Sequence, residues 1–522
     1  MKNILFIGLL LFTLSACSDF LKEYSQDLSK VETVSDLDEL LLGSAYLPAS
    51  KYNYNVLVST DDPYNLFIHL MSDEVEQNGK TNSGVMIHSA ETMFGYYTWQ
   101  RQVGYDSEGT STRAEDGCWN QTYKYINAVN IILDELNNVS TKTPQEETDK
   151  IRVEGEAYFL RAAYYFTLVN LYAEPYAPLT AATTPGVPLK LTSYIEDKTY
   201  VRNSVSEIYA QILKDLEKAK ECLAQTEKVS IYQADLTATY FLMSRVYLYM
   251  QDYKNARSYA QQVLDRNNAL ANLTTFQGEG NFLTSESPEV IFSMGGHLLS
   301  PMLLGSPYDY YGNLQSDSRP FYISKDLYET FDDNDLRKRH YITQEDGKYI
   351  FSKVSWGRDH WNEACSVSDN FLFRTSEAYL NLAEAAAFDN DEGTARQMIG
   401  LLQAKRYSTP PTIAESGNAL IDLIRKERQR ELCLEGHRWY DLRRYTVCEK
   451  YPWSKTYRHT YTKFTTISYQ TVPGETRIYE LGLNDKAYTL TLPREVLDFQ
   501  VNLGSNNRPE REPVEIIENN NN

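Results

Sequence analysis

The sequence predicts a mainly α protein: helix hairpins form a scaffold beside a large irregular, loop-rich lobe and small β-hairpins. Three observations carry this. Helical periodicity fills about 119–266 and 374–445. Two helix pairs share one spacing. Ser244, Tyr247, Ala256, Ala260 and Val263 fall at the small–aromatic–small positions of a tetratricopeptide-like hairpin, and Ala383, Ala386, Ala395, Ile399 and Leu402 fall at the same offsets. In both pairs two small residues stand 12 apart, which lets antiparallel helices touch closely. The third observation is that about 45–118 and 270–370 are rich in Tyr, Asn, Asp, Gly and Pro and keep no period. Aperiodic stretches of that length in a compact body are usually functional.

The elements follow in chain order. Lys2 precedes the apolar run Ile4 to Leu14, which Gly8 and Thr13 interrupt. The run has the length of a signal peptide core and is too short to span a bilayer. Leu14-Ser15-Ala16-Cys17 then reads as a lipoprotein cleavage site, so residues 1–16 are expected to be removed and Cys17 lipidated. An ordinary secretory signal with a chance cysteine is the alternative. The remaining 17–522 read as one body. A first helix starts at a cap-like Ser35 and ends at Gly43. Further helices are expected near 119–136, 147–172, 205–224, 233–250, 253–266, 374–388 and 392–406, then a long one over 418–445. Pro175, Pro178, Pro185 and Pro188 break the pattern after the second of these. In the last part, 446–522, Thr476–Leu481 and Tyr488–Leu492 flank Asn484-Asp485 and suggest a hairpin.

Composition excludes some classes. The chain of 522 residues carries 51 basic and 71 acidic residues, a net charge of −20, so it offers no basic face and a nucleic acid would be repelled. Any attachment to an anionic membrane must come from the lipid. Cysteines stand at 17, 118, 222, 365, 433 and 448 with no Cys-x-x-Cys, which disfavours a zinc or redox site; disulfide pairing stays open. Tyrosine is abundant, 41 against 19 phenylalanines, and suits half-exposed contact surfaces.

The run from Arg425 to Arg444 is charged throughout. Glu427, Glu431 and Glu435 repeat every four residues, and Arg428, Arg438 and Arg444 can meet carboxylates bidentately. A catalytic centre is one reading. A partly buried ion-pair network that locks the last helix onto the repeats is the other, and it is the expectation. The same run resembles the SusD-like (RagB/SusD) family of outer-membrane nutrient-binding lipoproteins. Glu427, Arg428, Glu431, Leu432, Glu435, Gly436, Arg438, Trp439, Asp441, Leu442 and Arg444 match its pattern. Cys17-Ser18-Asp19-Phe20-Leu21, Gly155 to Ala162, Asn170-Leu171-Tyr172, Asp335-x-Arg337, Arg374 to Ala385 and Leu492-Pro493 follow in the family's order. The end departs from it: Gln500 to Gly504 and a polar tail replace the usual Asn-Pro-Gly-aromatic finish.

The resemblance implies a lipid-anchored protein of the outer membrane, facing the cell exterior, that binds an oligosaccharide or a peptide. It also implies a TonB-dependent transporter, a SusC-like barrel, as partner, and no catalysis or cofactor. Sugars stack their C–H faces on aromatic rings while Asn, Asp and Arg bond the hydroxyls, so the ligand-binding candidates are Tyr96, Tyr97 and Trp99 with Arg101 in one loop cluster, and Tyr308, Tyr310, Tyr311 and Trp356 in the other. The bland reading is that these rings pack the lobe onto the helices. A secreted glycan hydrolase is the rival function, with Asp61-Asp62, Asp73-Glu74 or Asp332 to Asp335 as acids. Adjacency in sequence does not supply the separation that glycoside hydrolysis needs, however. Neither His-Glu-x-x-His nor Gly-x-Ser-x-Gly occurs, and the seven histidines show no ligand spacing, so no metal is expected; a calcium ion in a loop stays open.

Overall fold

The computed structural model describes residues 31–48, 67–80, 84–112, 117–277, 282–295, 319–345, 347–353, 367–368, 371–467 and 470–518. Cys17, Cys365, Tyr308, Tyr310, Tyr311 and Trp356 lie outside the described residues.

The longer helices are α1 (Val34–Leu40), α2 (Gly84–Thr92), α3 (Gly117–Glu135), α4 (Pro144–Tyr172), α5 (Val205–Leu223), α6 (Leu236–Tyr249), α7 (Tyr253–Arg266), α8 (Thr375–Phe388), α9 (Glu392–Gln403), α10 (Gly417–Glu431) and α11 (Arg438–Thr446). Their starts are set by side chains that accept otherwise orphaned backbone N–H groups. Ser204 and Glu207 form a capping box on α5, while Asp235, Asp252 and Asp391 cap α6, α7 and α9. The first helix corrects the expectation at Ser35. Thr33 is its N-cap, in a reciprocal box with Asp36, and the chain runs through Gly43 as a π-helical turn, Leu41–Ala45.

The scaffold is a chain of neighbouring helices. α4 lies against α3 and α5, α6 against α5 and α7, α7 against α8, and α8 against both α9 and α10. The small positions do what their spacing requires. Ser244, Ala256, Ala260 and Val263 are buried, and the Ser244 hydroxyl donates to Ala256 O across the hairpin at 3.0 Å. Tyr247 stacks on Tyr259 at the edge of the pair, with ring centroids 5.6 Å apart. Ala383, Ala386, Ala395, Ile399 and Leu402 are likewise enclosed.

Gly155 on α4 makes the closest approach to α5. A Cβ there would lie 2.7 Å from Leu223 Cγ and 2.9 Å from Cys222 Cβ. Gly155→Ala gains up to about 1 kcal/mol of helix propensity but forces overpacking worth about 1–3 kcal/mol. The clash should win, and urea unfolding should show a net loss of about 1 kcal/mol; a stabilised variant would refute the tight contact.

The lobe is irregular but carries short elements. Val75–Gln77 (β1), Phe321–Ile323 (β3), Ile342–Glu345 (β4) and Lys348–Phe351 (β5) form an antiparallel sheet in the order β1-β3-β5-β4, and Val290–Ser293 (β2) pairs with Leu372–Arg374 (β6). At the C-terminal end Tyr457–Ile467 (β7), Gln470–Leu481 (β8) and Glu515–Glu518 (β9) make a third sheet. This corrects the hairpin expectation. Thr476–Leu481 pairs with β7, Tyr457 opposite Leu481, and Tyr488 instead closes a 3-10 turn capped by Asp485.

The expected single helix over 418–445 is two. It stops at Glu431, and α11 restarts at Arg438 after Leu434 and Gly436 take positive φ of 57° and 77°. Buried Lys353 sits in the break, donating to Glu431 O at 2.6 Å and pairing with the Glu435 carboxylate. Glu427 and Glu431 share a helix, and Glu435 sits in the turn after it. Cys118, Cys222, Cys433 and Cys448 are buried.

Candidate functional site

The first aromatic cluster turns inward. Phe94–Tyr97 is a single helical turn, and a Cβ on its Gly95 would fall 2.3 Å from Val103 O, so only glycine lets the turn press onto that strand of backbone. The rings on either side are thereby enclosed. Tyr96 stacks on Phe67 with centroids 4.3 Å apart, and Tyr97 stacks on His459 at 4.2 Å. The Tyr97 hydroxyl accepts Gln77 N at 2.9 Å. Trp99, at φ 54°, lies against the same imidazole and donates Nε1–H to Met71 O at 2.9 Å. Tyr96, Tyr97 and Trp99 are at most 1% exposed, which corrects the expectation that they offer ring faces to a ligand. Their amphipathic rings join the lobe to the β7–β8 sheet. Arg101 alone of this group reaches solvent, 3.4 Å from Glu510. The second cluster, Tyr308, Tyr310, Tyr311 and Trp356, lies outside the described residues.

The charged run is buried and paired. Arg337 gives Nη1 to Glu427 at 2.7 Å and Glu431 at 3.0 Å, and its other nitrogens to Asp335. Arg374 binds Glu431 and Glu435, and Arg406 binds Glu431 and Glu289. Arg428 and Arg444 share Asp441, Arg444 also holds Glu384, and Arg438 holds Asp73 in the lobe. Burial alone would raise these carboxylic acids, but the guanidiniums outweigh it: Arg337 and Arg430 hold Glu427 at about 2, and Arg406 and Arg374 keep Glu431 well below the usual range. Groups so firmly ionised and so fully occupied are poor proton shuttles, so the arrangement acts as a lock between α8, α10, α11 and the lobe.

A concavity lies where α3, α4 and α6 meet the α10–α11 turn. Thr122, Tyr164, Phe166, Thr167, Leu242, Arg245, Tyr249, Phe371, His437 and Tyr440 line it. Burial, with Arg245 and Arg428 beside it, keeps the His437 imidazole neutral far below its ordinary titration. Nothing in the charge pattern of the sequence marks this cleft, because its residues come from six separated segments. Among the described residues no group of His, Cys, Asp and Glu is arranged to hold a metal, and no helix is long and apolar enough to cross a membrane.

Comparison with known proteins fits the same scaffold. A family described as SusD-like, starch-binding and associating with the outer membrane matches residues 45–248, and the SusD family matches 306–480. The chain belongs to the SusD-like family. A SusD-like protein of Formosa agariphila is 23% identical over 493 residues, covering 85% of this chain and 90% of the relative. One of Bacteroides ovatus is 22% identical over 375 residues, covering 62% and 64%. A SusD superfamily structure from Bacteroides thetaiotaomicron superposes with a TM-score of 0.67 at 20% identity, covering 91% of this chain and 100% of that one. A structure described as a SusD-like carbohydrate binding protein from Bacteroides vulgatus gives 0.65 at 22% identity, covering 90% and 97%. The SusD-like fold thus spans the helical scaffold and the lobe together.

Proposed function

We propose that this SusD-like protein binds a nutrient oligosaccharide at the outer surface of the outer membrane and delivers it to a TonB-dependent transporter of the SusC-like type. The anchor would be lipid on Cys17. The observation that carries the reading is the pair of family matches, 45–248 and 306–480, on a scaffold of SusD-like fold. It supports a binding role without catalysis that the acids of the charged run are committed to arginine and lysine partners in the interior. A peptide ligand is the alternative within the same family.

With Tyr96, Tyr97 and Trp99 enclosed, Tyr308, Tyr310, Tyr311 and Trp356 are the residues proposed to stack on sugar, with Arg101 as an exposed hydrogen-bond donor. Each aromatic contact contributes about 0.5–1.5 kcal/mol beyond burial, so three of them with a few hydrogen bonds suit a micromolar to millimolar grip. Glycan-array screening followed by calorimetry tests this. Tyr311→Ala should weaken the best ligand by about threefold to tenfold while leaving the melting temperature unchanged. Trp99→Ala should lower the unfolding midpoint instead, because it opens a cavity and leaves Met71 O with the Tyr457 hydroxyl as its remaining donor. Equal binding by wild type and Tyr311→Ala would remove that loop from the site. Failure to co-purify a barrel protein from solubilised outer membranes would count against delivery.

A further inference from the structure

Three hydrogen-bond donors of residues lining the cleft beside the α10–α11 turn have no partner among the described residues. Arg245 on α6 gives Nε and Nη2 to the two oxygens of Glu377 at 2.8 and 2.6 Å, and its Nη1 meets no described residue. Tyr249, four residues further along α6, and Tyr440 on α11 both line the cleft, and neither hydroxyl bonds a described residue. The other polar groups of the wall are occupied. Thr122 donates to Cys118 O at 2.6 Å, Thr167 to Ala163 O at 3.1 Å, and Tyr164 to Ala45 O. His437 lies between Arg428 at 3.4 Å and Glu377 at 3.5 Å.

The charges around the cleft decide what those donors can hold. Glu435 lines it from the turn, Glu377 on α8 pairs with its Arg245, and Asp441 on α11 pairs with Arg428. Each is answered: Glu377 by Arg245, Glu435 by Arg374 and Lys353, Asp441 by Arg428 and Arg444. Among these described acids none is left uncompensated to repel a ligand of the same sign. Burial raises both phenols above the ordinary tyrosine range, so they stay protonated and able to donate. A carboxylate presents about four lone-pair sites in one plane, enough for all three donors, and hydrogen bonds to a charged acceptor are about twice as strong as neutral ones. A neutral hydroxyl would leave at least one donor unmet. Apolar walls from Phe166, Leu242 and Phe371 exclude water and strengthen those contacts.

We propose that this cleft binds a small carboxylate, with Arg245 Nη1 and the hydroxyls of Tyr249 and Tyr440 as its donors. The carboxylate can belong to an acidic sugar or to the C-terminus of a short peptide. The site is built on the helical scaffold.

Calorimetry with four probes tests it: sodium glucuronate, glucose, glycylglycine and glycylglycine amide. At least one carboxylate should bind while its neutral counterpart does not, and which one binds assigns the source. Tyr249→Phe with Tyr440→Phe keeps both rings and the Arg245–Glu377 pair, and should weaken that probe by about tenfold or more, as expected for lost bonds to a charged group. Leu47→Trp, at the half-buried rim, touches no donor and should block entry. Absence of binding by both carboxylates, equal binding of the neutral probes, or unchanged binding by the Leu47→Trp protein would overturn the proposal.

Discussion

Glu431→Gln should cost about 3–5 kcal/mol of folding stability, the loss seen when one partner is removed from a buried ion pair. Its Oε1 accepts from Arg374 at 2.6 Å, Arg406 at 2.9 Å and Tyr341 at 3.3 Å; its Oε2 accepts from Arg406 at 2.9 Å and Arg337 at 3.0 Å. Glu431 and all three arginines are fully buried. Around them the charges balance: Arg337, Arg374, Arg406, Arg430 and Lys353 face Asp335, Glu289, Glu427, Glu431 and Glu435. Glutamine keeps the volume but leaves one net positive charge in a low-dielectric interior and turns two donor hydrogens toward guanidiniums. Domains are stable by only about 5–15 kcal/mol, so the variant should unfold at much lower urea or fail to accumulate. The exposed pair Lys325–Glu329 is the control, and Glu329→Gln should leave the midpoint where it was. Matching midpoints for Glu431→Gln and wild type would show that the network does not lock the fold.

That network also explains what the sequence could and could not tell. The hairpins were legible because their signal is local: Ser244 with Ala256 and Ala383 with Ala395 declare a helix pair at fixed spacing. The acid–arginine run was legible as a lock, since so many opposite charges beside Leu432 and Trp439 can be buried only in pairs. The break between α10 and α11 was not legible. The four-residue glutamate period runs through it, and the residue that fills it, Lys353, comes from the bend after β5, 78 positions earlier. The ring cluster failed for the same reason. Tyr96, Tyr97 and Trp99 find their partners in His459, Phe67 and Met71, and nothing local says that these arrive. Gly95 was the available clue, since a glycine among rings permits a close backbone approach. The cleft of Arg245, Tyr249 and Tyr440 left no trace in spacing at all.

Asp73 and Glu74 should give the protein opposite pH dependences from adjacent positions. Burial opposes the Asp73 charge, but Arg438, bidentate at 2.7 and 2.8 Å, and Lys455 outweigh it and lower the titration. A carboxylate lowered on folding adds stability above its unfolded value near 4, and that stability is lost as pH falls. Glu74 has no such partner. It accepts Leu434 N at 3.1 Å with one oxygen, while the other is buried without a hydrogen bond. Burial first, and the neighbouring Asp73 charge second, push it up to about 8. Between about pH 4.5 and 8 the folded state therefore keeps a proton that the unfolded chain releases, so stability falls as pH rises across that window. Glu74→Gln supplies a neutral group of the same shape that still accepts Leu434 N. Its urea midpoint should match wild type near pH 5 and exceed it at pH 9 by an amount on the order of a few kcal/mol. Asp73→Asn should behave in the reverse sense, losing about 3–5 kcal/mol at pH 7 because Arg438 is left buried without its anion, with the gap closing only in strong acid. Parallel pH profiles for wild type and Glu74→Gln would mean that Glu74 is ionised in the fold and that the junction between the lobe and the α10–α11 turn is wetter than its packing indicates.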